Sequence, residues 1–141
     1  MVKYKALYVT HNPNIRSAPR RSQMQSEKFS VRVVRHAQLE FSPRFEYGNM
    51  AQVAGVCGDS DGSELGVGWG RLENARIPWT IRYDEVLTVF AGHLSLHING
   101  EVHDLGVGDC IWLPDGTELI YEAESALIHF AIHPANWQSA T

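Results

Sequence analysis

At 141 residues, the chain is long enough to bury roughly 68–70% of its unfolded surface in one core without metal or disulfide staples. Its 44% apolar and 10% aromatic content fits a globular protein rather than a disordered or fibrous one. No apolar run approaches the roughly 18 residues of a membrane span, and residues 1–5 lack an apolar signal core, so no membrane partner and a cytoplasmic location are expected. Charge is unevenly divided: residues 1–35 hold eight Lys/Arg against the single acid Glu27, whereas residues 36–141 hold four against fifteen. The basic segment has few aromatics and no recognisable module for reading bases, so no nucleic-acid partner is expected. The plainer reading is a basic arm lying on the acidic remainder of its own or a neighbouring subunit.

Residues 1–28, with Pro13, Pro19 and several Asn, Ser and Arg, read as an irregular N-terminal arm holding at most a short helix. Residues 29–141 read as the barrel. Its first strands are expected at the valine-rich 30–35, at about 41–47, and at 50–57. The run Gly58-Asp-Ser-Asp-Gly-Ser63 is a turn. Beyond it, short strands are expected at 65–71, 80–90, 93–98, 101–105, 110–113, 118–121 and 126–133. Asn99-Gly100 between alternating residues predicts a type I′ hairpin, because both central positions need positive φ. No helical period persists for three turns, and many short, closely spaced strands mean a sandwich or barrel. Cys57 and Cys110 belong to no Cys-x-x-Cys pair and are expected as reduced, buried thiols rather than a disulfide or a zinc site.

Two spacings carry the family resemblance: Glu85-x6-Gly92, and Gly108-x5-Pro114-x-Gly116. They resemble the two motifs of the cupin superfamily, whose barrel holds a metal on three histidines and a glutamate. Here the histidine positions fall near Trp79, Ile81 and Leu119, and only Glu85 is kept. From about 63 to 139 the chain resembles the EutQ-type ethanolamine-utilisation proteins within that superfamily. The carrying residues are Glu73-Asn-Ala, Pro78-Trp-Thr, Tyr83-Asp-Glu, Gly92, Gly108-Asp109, Pro114-x-Gly116 and Pro134-Ala-Asn-Trp-Gln-Ser139. The resemblance implies an all-β, single-domain cupin jelly-roll β-barrel, a homodimer, and a pocket without the usual histidines. A barrel of this size covers edge strands by pairing with a second copy, and the N-terminal strands are the expected place.

Alternation places Ile81, Tyr83, Glu85, Leu87 and Val89 on one face. With Glu85 pointing inward, as its cupin counterpart does, Tyr83 shares its cavity. A carboxyl walled by Leu, Val and Trp has its pKa raised by desolvation. It then serves as a general acid or base, or recognises a cationic or hydroxylated ligand. The competing reading is a buried structural acid bonded to Tyr83, Tyr121 or a backbone amide. Glu85 and Tyr83 are therefore the candidate catalytic residues, and Trp79, Ile81, Leu119, Tyr121 and His129 the candidate ligand-binding wall. His129 alternates with Leu127, Ala131 and His133, and if it reaches the cavity it would give a reduced metal site with Glu85. Otherwise no cofactor is expected, since one carboxylate with oxygen ligands holds an adventitious divalent ion only weakly.

Other constellations point away from chemistry. His93 and His97 lie about 13 Å apart along a strand and cannot share one ion. Asp84 and Glu85 face opposite sides and cannot flank one bond. Gly66, Gly68 and Gly70 alternate in a strand and form no loop at a helix N-terminus, so close packing is expected rather than phosphate binding. Acetate kinase activity, attributed to the EutQ family, is accordingly not carried over. The expected function is a small-molecule binder or accessory protein of amine or small-carbon catabolism. The alternative is a small cupin enzyme of lyase, isomerase or hydrolase type, using Glu85 as acid/base or the reduced site with His129.

Overall fold

A computed structural model describes residues 30–139; the arm expected over 1–28 lies outside the described residues. Two long strands form the spine. β3 (Gly66–Thr80) and β8 (Glu118–His133) pair antiparallel along their whole length, from Gly66 opposite Ile132 to Thr80 opposite Glu118. The remaining strands are β1 (Ser42–Pro43), β2 (Ala51–Cys57), β4 (Asp84–Gly92), β5 (Leu94–Ile98), β6 (Glu101–Leu105) and β7 (Cys110–Leu113). One half of β8 carries β4, with β7 beyond it; the other half carries β5, with β6 beyond. β2 and then β1 line the free side of β3. Every pairing is antiparallel, and the described residues form the expected all-β jelly roll.

The spine serves both layers because it is kinked at one place. Glu73 pairs with Ser125 and Ala75 with Ala123, so Asn74 and Glu124 are left unpaired between them with the register unchanged, and Asn74 takes φ +45°. The break in the ladder, with Asn74 in the left-handed region, moves the alternation on by one residue in both strands alike. In β3 the buried set passes from Gly66, Gly68, Gly70 and Leu72 to Ala75 and Ile77. In β8 it passes from Leu119 and Ala123 to Ala126 and Ile128. The core between the layers is aliphatic: Ile81, Leu87, Leu94, Leu96 and Leu113 are almost wholly enclosed.

Several expected elements differ. The strand expected at 65–71 runs on to Thr80 as β3, that at 80–90 becomes β4, and those at 118–121 and 126–133 fuse into β8, because the shifted alternation at the kink hides the continuity of each spine strand. Pro78 is tolerated inside β3 because β2 pairs only Val67 to Leu72, so no bond to β2 is lost there. Residues 30–35 are not a strand; their valines have no neighbouring strand among the described residues, and β propensity is realised only against one. The 41–47 strand shrinks to β1 and a 3₁₀ turn over Phe45–Tyr47. Asn99 and Gly100 take φ +51° and +77°, as the hairpin requires. Both cysteines are free, but neither is buried: Cys57 is half-buried and Cys110 exposed, since β7 turns Cys110 and Trp112 outward. No helix among the described residues is long and apolar enough to cross a membrane.

Candidate functional site

The inner face of the segment leading into β4 builds the floor. Ile81, Tyr83, Glu85, Leu87 and Val89 are each at most 5% exposed, while Arg82, Asp84 and Val86 between them are exposed. Asp84 therefore points out, where its carboxylate accepts from the Asp115 amide at 3.2 Å. Glu85 points into a cavity of about 110 Å³. One of its carboxyl oxygens, Oε2, is buried without a hydrogen-bond partner among the described residues. Burial drives its pKa up to about 7, against the opposing influence of the Arg44 charge and of Tyr121 beside it. The Tyr83 hydroxyl is pushed up to about 12, first by burial and then by Glu85. Tyr121 is raised well above the usual phenol range for the same reasons in the same order. Both phenols thus stay protonated and available as donors.

The walls are mostly apolar: Ala51 and Val53 from β2, Leu72 and Ile77 from β3, and Ile128, Phe130 and Ile132 from β8. Space exists because β3 presents glycine there. A Cβ on Gly70 would meet the Ile128 side chain at 2.9 Å, and one on Gly66 would meet Ile132 at 2.7 Å. The alternating glycines are therefore a packing device, as expected, and Gly70 itself lines the cavity.

The mouth is aromatic and carries a cation. Trp79 lies stacked on Phe45 with centroids 5.8 Å apart, and Trp137 meets Trp79 edge-on at 6.0 Å and Tyr83 at 5.1 Å. The Trp79 indole donates to the Tyr83 hydroxyl at 3.3 Å, which leaves the Tyr83 proton free for another acceptor. Over these rings sits the Arg44 guanidinium, 4.3 Å from Phe45, 5.5 Å from Trp79 and 5.8 Å from Trp137. Such distances are those of cation–π contact. Backbone bonds from Arg44 N to Ala51 O and from Tyr47 N to Arg44 O, both 3.0 Å, fix the short strap that carries it.

Of the seven residues singled out in the sequence, Glu85, Tyr83, Trp79 and Tyr121 come together around this cavity. Ile81 and Leu119 do not line it; both are core residues, 0% and 4% exposed. His129 stands on the outer face, edge-on to Trp69 at 4.8 Å and near Phe90 at 6.0 Å. The kink at Glu124 is the cause: beyond it the inward residues of β8 are Ile128, Phe130 and Ile132, so His129 cannot join Glu85. Arg44, Tyr47, Phe130 and Trp137 line the cavity without having been expected there. Trp137 had a signal, as part of the terminal Pro-Ala-Asn-Trp run. Arg44 had none, lying in a segment without period.

The cupin metal does not fit these residues. Where three imidazoles would converge on Glu85 stand an indole already donating to Tyr83 and two packed aliphatic side chains, Ile81 and Leu119. Among the described residues no three His, Cys, Asp or Glu side chains gather as a metal-holding group.

Comparison with known proteins places this geometry in a family. The profile described as "Ethanolamine utilisation protein EutQ" matches residues 6–139. A protein of Escherichia coli K12 named "Acetate kinase EutQ" is 36% identical over 85 residues, which are 60% of this chain but only 36% of that protein. The crystal structure of an ethanolamine utilization protein Q from Salmonella typhimurium LT2 superposes with a TM-score of 0.70 at 26% identity, covering 75% of this chain and 88% of that one. The Cupin_2 domain of an Enterobacter cloacae transcriptional regulator shares the fold alone, with a TM-score of 0.53 at 18% identity over 60% of this chain and 96% of that one. A cupin barrel retaining Glu85 without its histidines, under a profile match that spans nearly the whole chain, belongs to the ethanolamine utilisation protein EutQ family.

Proposed function

We propose that the barrel binds a small organic molecule, with Glu85 as its polar anchor, and that the protein is a binder or accessory protein of amine or small-carbon catabolism. The observation that carries this reading is the unpartnered Glu85 Oε2, 5% exposed and aimed into an aromatic-mouthed cavity. A buried polar oxygen left without a donor costs about 1–3 kcal/mol, and a ligand donor would recover it. Tyr83 and Tyr121 supply protonated phenols at the same point, and the apolar walls favour a short carbon chain.

Calorimetric titration of the full chain with small amines, alcohols and short acids tests the reading. Glu85→Gln is expected to weaken amine binding at least about tenfold with the fold intact, because it keeps shape and removes charge. Tyr83→Phe should weaken binding less, by the roughly 0.5–1.5 kcal/mol of one hydrogen bond. An unchanged response in Glu85→Gln would move the function off the barrel interior.

A second reading, an enzyme of lyase, isomerase or hydrolase type, is favoured by one observation: the Glu85 carboxyl is pushed up to about 7, where a group exchanges protons near neutral pH. It requires turnover of a bound ligand with a rate that titrates near that value. The acetate kinase named in the relatives contributes no step here, since the alternating glycines of β3 pack against β8 side chains and form no phosphate cradle. A homodimer and the absence of a resident metal belong to the same reading. Stoichiometric zinc, iron or manganese in untagged protein would overturn the latter.

A further inference from the structure

Two opposite charges line the cavity, and the Arg44 charge is felt at Glu85. Arg44 sits at the aromatic mouth, its guanidinium within 6 Å of three ring centroids. Glu85 sits at the floor with Oε2 unpartnered. The rest of the lining is largely aliphatic, with Leu72, Ile77 and Ile128 on the adjacent strands β3 and β8. We propose that the site takes a small zwitterion, a molecule with a primary ammonium at one end and a carboxylate or phosphate at the other, the ammonium meeting Glu85 and the anion meeting Arg44. This rests on the reading of the barrel as a ligand site.

The argument is one of charge compensation. A lone ammonium entering the cavity would answer Glu85 but add a second positive charge near Arg44. A lone carboxylate would answer Arg44 but bring a negative charge toward Glu85. Burying an unpaired charge is expensive, and truncating one partner of a buried pair leaves the other unpaired. A zwitterion keeps the enclosed volume neutral and gives each protein group a charge-assisted partner, the stronger class of hydrogen bond. Arg44 suits the anion because its planar fork matches carboxylate and phosphate oxygens. The stack of Phe45, Trp79 and Trp137 already holds the guanidinium in place, so less side-chain freedom is lost on binding. An ammonium would instead have to displace Arg44 to reach those rings. A cavity of about 110 Å³ suits a small ligand.

Three probes of matched chain separate the possibilities: β-alanine, propylamine and propionate, titrated into the full chain at pH 8. Wild type should bind β-alanine at least about tenfold more tightly than either monofunctional probe. Arg44→Gln should bring β-alanine down to the level of propylamine while leaving propylamine binding unchanged or stronger, because a like charge is removed. Arg44→Lys, which retains the charge, should keep most of the preference; melting curves check that each variant is folded. Glu85→Gln should bring β-alanine down to the level of propionate. If propylamine or propionate binds as well as β-alanine, and Glu85→Gln still weakens that binding, the zwitterion is excluded and the ligand site stands. If Arg44→Gln weakens all three probes equally, or Arg44→Lys loses as much preference as Arg44→Gln, Arg44 serves shape rather than charge and the inference fails. If none of the three binds wild type, the inference and the reading beneath it fall together.

Discussion

Glu85 and Asp84 show how one residue step decides a carboxylate's chemistry. Asp84 faces water and holds a turn amide; Glu85 faces the cavity and is pushed up to about 7 by burial. The shift has a consequence for stability. With the folded pKa near 7 and the ordinary value at 4.5, the native state holds its proton more tightly than the unfolded chain. The stabilisation is complete below about pH 4.5 and is lost as pH rises through about 7. Glu85→Gln stays neutral throughout, so it should melt above wild type at pH 8 by an amount on the order of 3 kcal/mol. That advantage should vanish near pH 4.5. Thermal denaturation across this range checks the sign, and a variant less stable than wild type at pH 8 would mean that Glu85 is held ionised by a partner. The position of Glu85 was legible because alternation from 81 to 89 is unbroken and one motif spacing fixes its place. Arg44 was not legible, because its placement depends on three rings, two of them distant in sequence, that only the fold brings beneath it.

At the scale of elements, the short strands and the hairpin could be read from local chemistry, while the spine could not. Alternation is a good guide until a left-handed residue shifts it, and the break at Asn74 and Glu124 cut β3 short at residue 71 and split β8 into an apparent pair of strands. The same break decides that Phe130 and not His129 faces the cavity, which is why the imagined partner of Glu85 came from the wrong side of the sheet. Two glycines, one ending β4 and one in the β5–β6 hairpin turn, make a test of what the chain tolerates. Both Gly92 and Gly100 take positive φ, +73° and +77°. A Cβ on Gly100 meets nothing within 4 Å, whereas one on Gly92 would fall on the Ser125 carbonyl oxygen, part of the β8 backbone. Gly100→Ala should therefore cost only the left-handed penalty of about 1–2 kcal/mol. Gly92→Ala adds a backbone collision and should cost roughly 3 kcal/mol or more. For a chain of this length each kcal/mol lowers Tm by about 2–4 °C, so the two variants are separable by melting. Equal losses would mean that β8 yields at Ser125.

The whole molecule presents one side that the cavity does not explain. Across five strands in register run Cys57, Val67, Ala131, Val86 and Trp112, an apolar row on the outside of the barrel. Among the described residues Val86 is 45% exposed and Trp112 67%, with Phe90 further along β4 at 50%. Contiguous apolar surface on a sheet marks an interaction site. The sequence suggested the N-terminal strands as the place where two copies meet, but β1 is two residues long and ends on Pro43, a blunted edge that resists strand addition. The sheet face is the better surface for the expected homodimer: a two-fold pairing sets the same patch against itself and covers Val86 and Trp112 together. Light scattering at tens of micromolar should give twice the 15.8 kDa chain mass. Val86→Glu combined with Trp112→Glu should reduce it to the single mass, because charges at the centre of an apolar interface are left unpaired. A wild-type monomer would remove the dimer altogether. A dimer that survives both charges would return the contact to the strand edges, and would leave the apolar row to another partner.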